Sequence, residues 1–185
     1  MLFAADVFGA TPELRRLAGT VAGEAAVVID AHDGRDCGFR DDGAAYRFFL
    51  DNGAPQAVRR RIAGALTPKT RVVGFSAGAA AAWHALSQAP AAGAVLFYGS
   101  RIRDALDRPP LCPVEVVLPA HEDHFDIGAM AEALARLPNV TVTQTPWHHG
   151  FMNPRSGGWD VRAAADWTRR LCRWVGRDGG PPDLP

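Results

Sequence analysis

Residues 71–86 read RVVGFSAGAAAAWHAL, Arg71 to Leu86. The run Arg71 to Phe75 is strand-sized and rich in β-branched and aromatic residues, whereas Ala77 to Ser87 has helical composition and spacing. Where the two meet, Gly74-Phe75-Ser76-Ala77-Gly78 spells G-x-S-x-G in the strand-turn-helix setting of a nucleophile elbow. A turn that sharp leaves no room for side chains at its flanks, which accounts for both glycines and for the small Ala77 and Ala79. Ser76 is expected to stand over the strand ends. The amide of Ala77, at a helix N-terminus, would point into the same space and suit a developing oxyanion. The plainer reading is a Gly/Ser turn, and the context argues against it.

Working outward, further strand-sized runs occur at Leu2 to Phe8, Ala25 to Asp30, Ala94 to Tyr98, Val114 to Leu118 and Val140 to Thr145. Helical spacing marks Glu13 to Ala22, Asp126 to Leu137 and Val161 to Val175, and two short helices are read between Asp41 and Leu66, broken at Gly53 to Pro55. Strand and helix alternate, which predicts a parallel sheet covered by helices. Thr11-Pro12-Glu13 is a helix start by composition: hydroxyl cap, Pro at N1, acid in the first turn.

The 185 residues suit one domain, here 1–176, with a flexible Gly/Pro-rich tail over 177–185. Lys+Arg 20 balance Asp+Glu 20, so no bulk charge would hold the chain on nucleic acid or an anionic membrane. The triplet Arg59-Arg60-Arg61 is read as a solvated helix face. Three cysteines without a C-x-x-C fit a reducing compartment, and Cys37 has no base or elbow to make it a nucleophile. The N-terminus has no basic n-region, and His84, Gln88 and Pro90 interrupt the longest apolar stretch. The expectation is a cytoplasmic protein without cofactor, acting on a small molecule; a neutral surface is also compatible with a homodimer.

A serine hydroxyl needs a histidine base, and that base needs an acid to hold its tautomer; in this arrangement the chain order is Ser, acid, His. Past the last strand-like run comes Trp147-His148-His149-Gly150. His149 is the candidate base, because the following glycine frees the backbone to turn the ring inward, and His148 is left as a surface or packing residue. For the acid, His121-Glu122-Asp123-His124-Phe125-Asp126 offers three carboxylates. Asp123 is chosen: it lies a few residues past the strand end, Asp126 reads as a helix start, and Glu122 neighbours it on the other side. The same hexad lacks the H-E-x-x-H pattern of a zinc helix, so no metal site is expected.

Together the segments ADVFG (5–9), GFSAGA (74–79), AHEDHF (120–125) and HHGFMNP (148–154) resemble, in order and spacing, the α/β-hydrolase superfamily and within it the dienelactone hydrolase family, from about Leu2 to Trp174. The resemblance implies a minimal α/β-hydrolase fold with a mostly parallel sheet of about six strands, helices on both faces and no cap domain. Only about fourteen residues separate Tyr98 from Pro113, where many relatives insert a lid. It further implies that Val7 donates a second oxyanion amide and that Asp6 sits near Ser76, unless Asp6 only caps backbone amides. The namesake enzyme has a cysteine where this chain has Ser76, and serine fits esterase or thioesterase-like relatives acting on a small ester, lactone or thioester. Acyl transfer, or a non-catalytic binding module on the same fold, are the alternatives. Arg35 and Arg155 occupy loops comparable to those that hold a substrate carboxylate in the namesake, and Phe39, Trp147 and Phe151 are candidates to line the pocket. Trp83, Trp167 and Trp174, at helical positions, read as core.

Overall fold

In the computed structural model, which describes residues 1–52 and 54–176, six strands form one sheet: β1 (Leu2–Ala4), β2 (Val27–Ile29), β3 (Arg71–Phe75), β4 (Gly93–Phe97), β5 (Val114–Leu118) and β6 (Val140–Gln144). Every pairing is parallel and the order is β2-β1-β3-β4-β5-β6. The helices are α1 (Pro12–Ala22), α2 (Asp42–Asp51), α3 (Ala54–Ala65), α4 (Ala77–Leu86), α5 (Ile127–Ala135) and α6 (Val161–Val175). Between β4 and β5 only a short 3-10 segment, Ser100–Ala105, intervenes. The tail expected to fray, 177–185, lies outside the described residues.

The period-two alternation of the strands sorts their side chains into two cores. Ala94 and Leu96 of β4 join the core beneath α2 to α5, whereas Val95 and Phe97 join the one beneath α1 and α6. On α6, Ala163, Ala164, Trp167, Leu171 and Trp174 recur at helical spacing and are buried. Trp83, Trp167 and Trp174 are all core residues, as their spacing predicts. Eight of the ten residues of α4 are buried, which is why this helix is built from alanine: larger side chains would hold it off the sheet. Thr11 caps α1 by accepting from the Leu14 amide at 3.2 Å with Pro12 following, and Asp126 caps α5 through the Gly128 and Ala129 amides. No helix among the described residues is long and apolar enough to cross a membrane.

β1 is shorter than the apolar run Leu2 to Phe8 suggests. Asp6 turns the chain: its carboxylate takes the Phe8 amide at 3.0 Å and its carbonyl the Gly9 amide at 3.1 Å, with Gly9 at φ +82. Val7 and Phe8 are buried, yet in a turn. Apolar pattern reports burial, and burial alone does not make a strand.

The chain moves outward from β1 in one direction to β2 and in the other to β3, so the strand order reverses between β1 and β3. In open α/β sheets this reversal opens a crevice beyond the carboxyl ends of the strands. The turn after β1 and the turn after β3 therefore meet there, and the meeting is tight. A Cβ on Gly78 would overlap the carbonyl oxygens of Ala4 and Ala5, and one on Gly74 would lie 2.7 Å from the Ala79 Cα. Gly78→Ala should destabilise the fold by about 3 kcal/mol, since backbone rather than a flexible side chain has to yield; chemical denaturation reads this directly, and an unchanged midpoint would contradict the contact.

Candidate active site

At the start of α4, Ser76 adopts φ 48 and ψ −114, with its amide bonded to the Phe97 carbonyl at 2.9 Å. Positive φ at a non-glycine residue is strained. Here the flanking glycines and the β4 hydrogen bond hold it, and the hydroxyl reaches 2.9 Å from His149 Nε2. On the far side of the imidazole, Nδ1 lies 2.6 Å from Glu122 Oε1. Glu122, its side chain 10% exposed, thus fixes the ring so that Nδ1 carries the proton and Nε2 is free to accept from Ser76.

The carboxylate that meets His149 is thus Glu122 and not the expected Asp123. Asp123 points outward, 84% exposed, and pairs with His121 at 3.1 Å. The reason is register beyond the strand ends: the Ala120 amide bonds the Trp147 carbonyl at 2.7 Å, and two residues further along each chain stand Glu122 and His149. From there the Glu122 side chain meets the imidazole, while the chain turns at Asp123 and leaves its carboxylate in solvent. Asp126 caps α5, and the hexad does not converge on one point.

His149 is the histidine turned inward, and His148 is exposed. Gly150 has φ +82, the conformation that turns the ring in, and the backbone of Gly158 packs so closely behind His149 that a Cβ there would overlap the His149 carbonyl. The His149 ring also rests against Tyr98, with centroids 4.9 Å apart, and Phe151 meets the other edge of Tyr98 at 5.2 Å.

A cavity of about 820 Å³ opens over Ser76 and His149, and Val7, Ala77 and Asp6 line it. The Ala77 amide is the first of α4 and has no carbonyl to bond within the helix. The Val7 carbonyl is held by His32 Nε2 at 3.0 Å, which fixes the loop carrying the Val7 amide. Asp6 lines the same cavity as Ser76 and caps the Phe8 amide; Asn153 Nδ2 donates to its other oxygen at 2.6 Å. The first and last motifs are thereby tied together.

Burial raises the Asp6 carboxyl from an ordinary 3.8 to about 6, against the opposing pull of Asn153, the Phe8 amide and His149. A raised carboxyl binds its proton more tightly in the folded state. The stability it contributes is complete below the unfolded value and is lost as pH rises towards 6. Relative to Asp6→Asn, the wild-type unfolding free energy should fall by up to about 1.4 kcal/mol per pH unit between pH ~4 and ~6 and then level off. Denaturation across that range measures it, and a difference independent of pH would contradict the assignment.

Five residues expected at the pocket lie outside its lining. Arg35 is 80% exposed with only Asp33 nearby at 4.0 Å, because its loop projects from the sheet edge. Arg155, its side chain 8% exposed, is clamped by Glu13 at 3.1 Å and by Asp36 at 2.6 Å, and this pairing holds the Asp36 carboxyl down at about 2. It staples loops behind the site and does not line the cavity. Phe151 is fully buried against Tyr98, while Trp147 packs at a tilt on Phe151 and Phe39 on His32 and Phe48, all outside the cavity lining. Arginine does reach the cavity, but from positions 59, 101 and 103. Arg59 departs from the solvated reading of its triplet because α3 turns it towards α4, whereas Arg60 is exposed and Arg61 pairs with Asp33.

The all-parallel sheet, the elbow after β3 and the histidine loop after β6 define an α/β hydrolase. Residues 50–178 match the dienelactone hydrolase family, and the chain belongs to it. The fold is shared, at 19% identity and a TM-score of 0.70 over 95% of this chain and 84% of the other, with a dienelactone hydrolase-like promiscuous phosphotriesterase from metagenomic libraries. A protein of the alpha/beta hydrolase superfamily from Xanthomonas campestris pv. campestris aligns over 95% of this chain and 96% of its own, with a TM-score of 0.59 and 15% identity. In sequence, the uncharacterized protein YczH of Bacillus subtilis (strain 168) is 40% identical over 87 residues, which span 46% of this chain and 43% of YczH.

Proposed function

We propose that this hydrolase cleaves a small carboxylic ester, lactone or thioester through an acyl-enzyme on Ser76. The carrying observation is the continuous relay from Ser76 Oγ through His149 to Glu122, with links of 2.9 and 2.6 Å. His149 Nε2 takes the serine proton as Oγ attacks the carbonyl carbon, and the amides of Val7 and Ala77 receive the oxyanion. Collapse of the tetrahedral intermediate breaks the bond to the leaving oxygen or sulfur, which takes the proton back from His149. Water then repeats the sequence: His149 removes its proton, the acyl carbon is attacked, and Ser76 is released with the acid product. Glu122 stabilises the imidazolium in both halves.

The cavity suits a small molecule, and the serine in place of the namesake's cysteine suits esters and thioesters. The test is incubation with p-nitrophenyl acetate, rapid acid quench and peptide mapping. The expected result is release of p-nitrophenolate above background and an acetyl group on the peptide carrying Ser76. Absence of turnover on short esters, thioesters and lactones alike, or an acetyl group found elsewhere, overturns the reading.

A further inference from the structure

The backbone that carries His149 is gripped from behind. Trp147 is bonded to the Ala120 amide and Phe151 is buried, and between these two anchors the backbone of His149 and Gly150 packs against Ser156 and Gly158. A Cβ on Gly150 would overlap the Ser156 hydroxyl, and one on Gly158 would overlap the His149 carbonyl, so the two segments touch with no space between them. Fixing residues 156–158 therefore fixes the backbone behind the imidazole.

The Ser156 hydroxyl is the hub of that segment. It accepts from the Gly158 amide at 3.4 Å and donates to Asp42 Oδ1 at 2.9 Å, while Asp42 Oδ2 takes the Gly157 amide at 3.2 Å. Arg155, the residue before, is clamped by Glu13 and Asp36, but the bonds to Ser156, Gly157 and Gly158 from outside their own loop come, among the described residues, from Asp42 alone. A carboxylate that takes two donors is a strong acceptor, since charge-assisted hydrogen bonds are roughly twice as strong as neutral ones. Asp42 stands in the first turn of α2, and α2 also walls the cavity through Gly43, Tyr46 and Phe49.

We infer that Asp42 is a positioning residue for the base: acting through Ser156, it ties the α2 wall of the cavity to the loop of His149 and sets the reach of the imidazole to the Ser76 hydroxyl. Asp42 needs no contact with the reacting atoms for this. The consequence for rate rests on the serine-hydrolase reading; the consequence for the ring's position does not. Misplacing a reacting group by about 1 Å costs on the order of 100-fold, so partial loosening of this loop is expected to cost about tenfold.

The experiment measures kcat and KM for p-nitrophenyl acetate in variants of the contact. Asp42→Ala and Ser156→Ala should each lower kcat by about tenfold with KM changed by less than about twofold, and the double variant should lose little beyond either single one, because the two side chains form one contact. His149 works in both halves of the cycle, so kcat reports its position whichever half is slower. Asp42→Asn, which still accepts from a donor on the loop, should recover most of the rate. Asp41→Ala removes the cap that takes the Ala44 amide at 2.6 Å, which destabilises the same helix without touching the loop, and it should leave kcat within about twofold. An unchanged kcat in Asp42→Ala, Asp42→Asn as slow as Asp42→Ala, an equal fall in Asp41→Ala, or additive losses in the double variant overturns the inference. The Nδ1 proton that His149 shares with Glu122 across 2.6 Å gives a low-field proton resonance that reads the ring without turnover. It should shift or broaden in Asp42→Ala and Ser156→Ala and stay in place in Asp41→Ala. If wild type hydrolyses no ester and the resonance still responds in this pattern, the positioning role stands and the catalytic reading fails; a resonance unmoved in Asp42→Ala overturns the positioning role itself.

Discussion

Ser76→Ala and His149→Ala should each lower kcat/KM for p-nitrophenyl acetate by a factor on the order of 10³ or more, and the double variant should lose little beyond either single one. The physical basis is that the two side chains act as one unit. Ser76 Oγ is a weak nucleophile until the imidazole 2.9 Å away takes its proton, and the imidazole has nothing to activate once the hydroxyl is gone. Both residues are partly buried, neither forms part of either apolar core, and thermal unfolding of both variants should stay near that of wild type. Loss of activity with retained stability supports the mechanism. Additive losses in the double variant would contradict it.

The second large effect separates two adjacent carboxylates. Glu122→Gln should reduce kcat by roughly 10² to 10⁴, because an amide in its place no longer fixes the proton on Nδ1 or stabilises the imidazolium. Asp123→Asn should change kcat by less than about twofold, since an exposed pairing with His121 contributes little. Steady-state kinetics on the same ester decides between them. The reverse outcome would return the acid role to Asp123 and contradict the 2.6 Å contact between Glu122 and His149.

Most of the framework was legible in the sequence. The boundaries of β3, β5 and α6 coincide with those read from periodicity, and the elbow at Ser76, the inward His149 and the caps at Thr11 and Asp126 stand where local chemistry put them. These features depend on neighbours a few residues apart: glycines that relieve a turn, a hydroxyl that reaches an amide three positions on, apolar residues that share a face.

The details of the site depend on contacts between distant segments. Which of Glu122 and Asp123 meets His149 is set by how the chain after β5 lies against the chain after β6. Whether an arginine faces the cavity or staples a loop is equally a tertiary matter: Arg155 meets Glu13 and Asp36 across more than a hundred residues, while Arg59 is carried to the cavity by the packing of α3 on α4. The sequence by itself determined the parallel α/β architecture, the turn that carries Ser76 and the histidine that meets it, because backbone conformation and amphipathic periodicity are local. Only the tertiary structure decided which carboxylate meets that histidine, the loop geometry that makes Asp6 and Asn153 partners, and the arginines that face the cavity, because long flexible side chains choose partners by proximity in space and local sequence does not encode it.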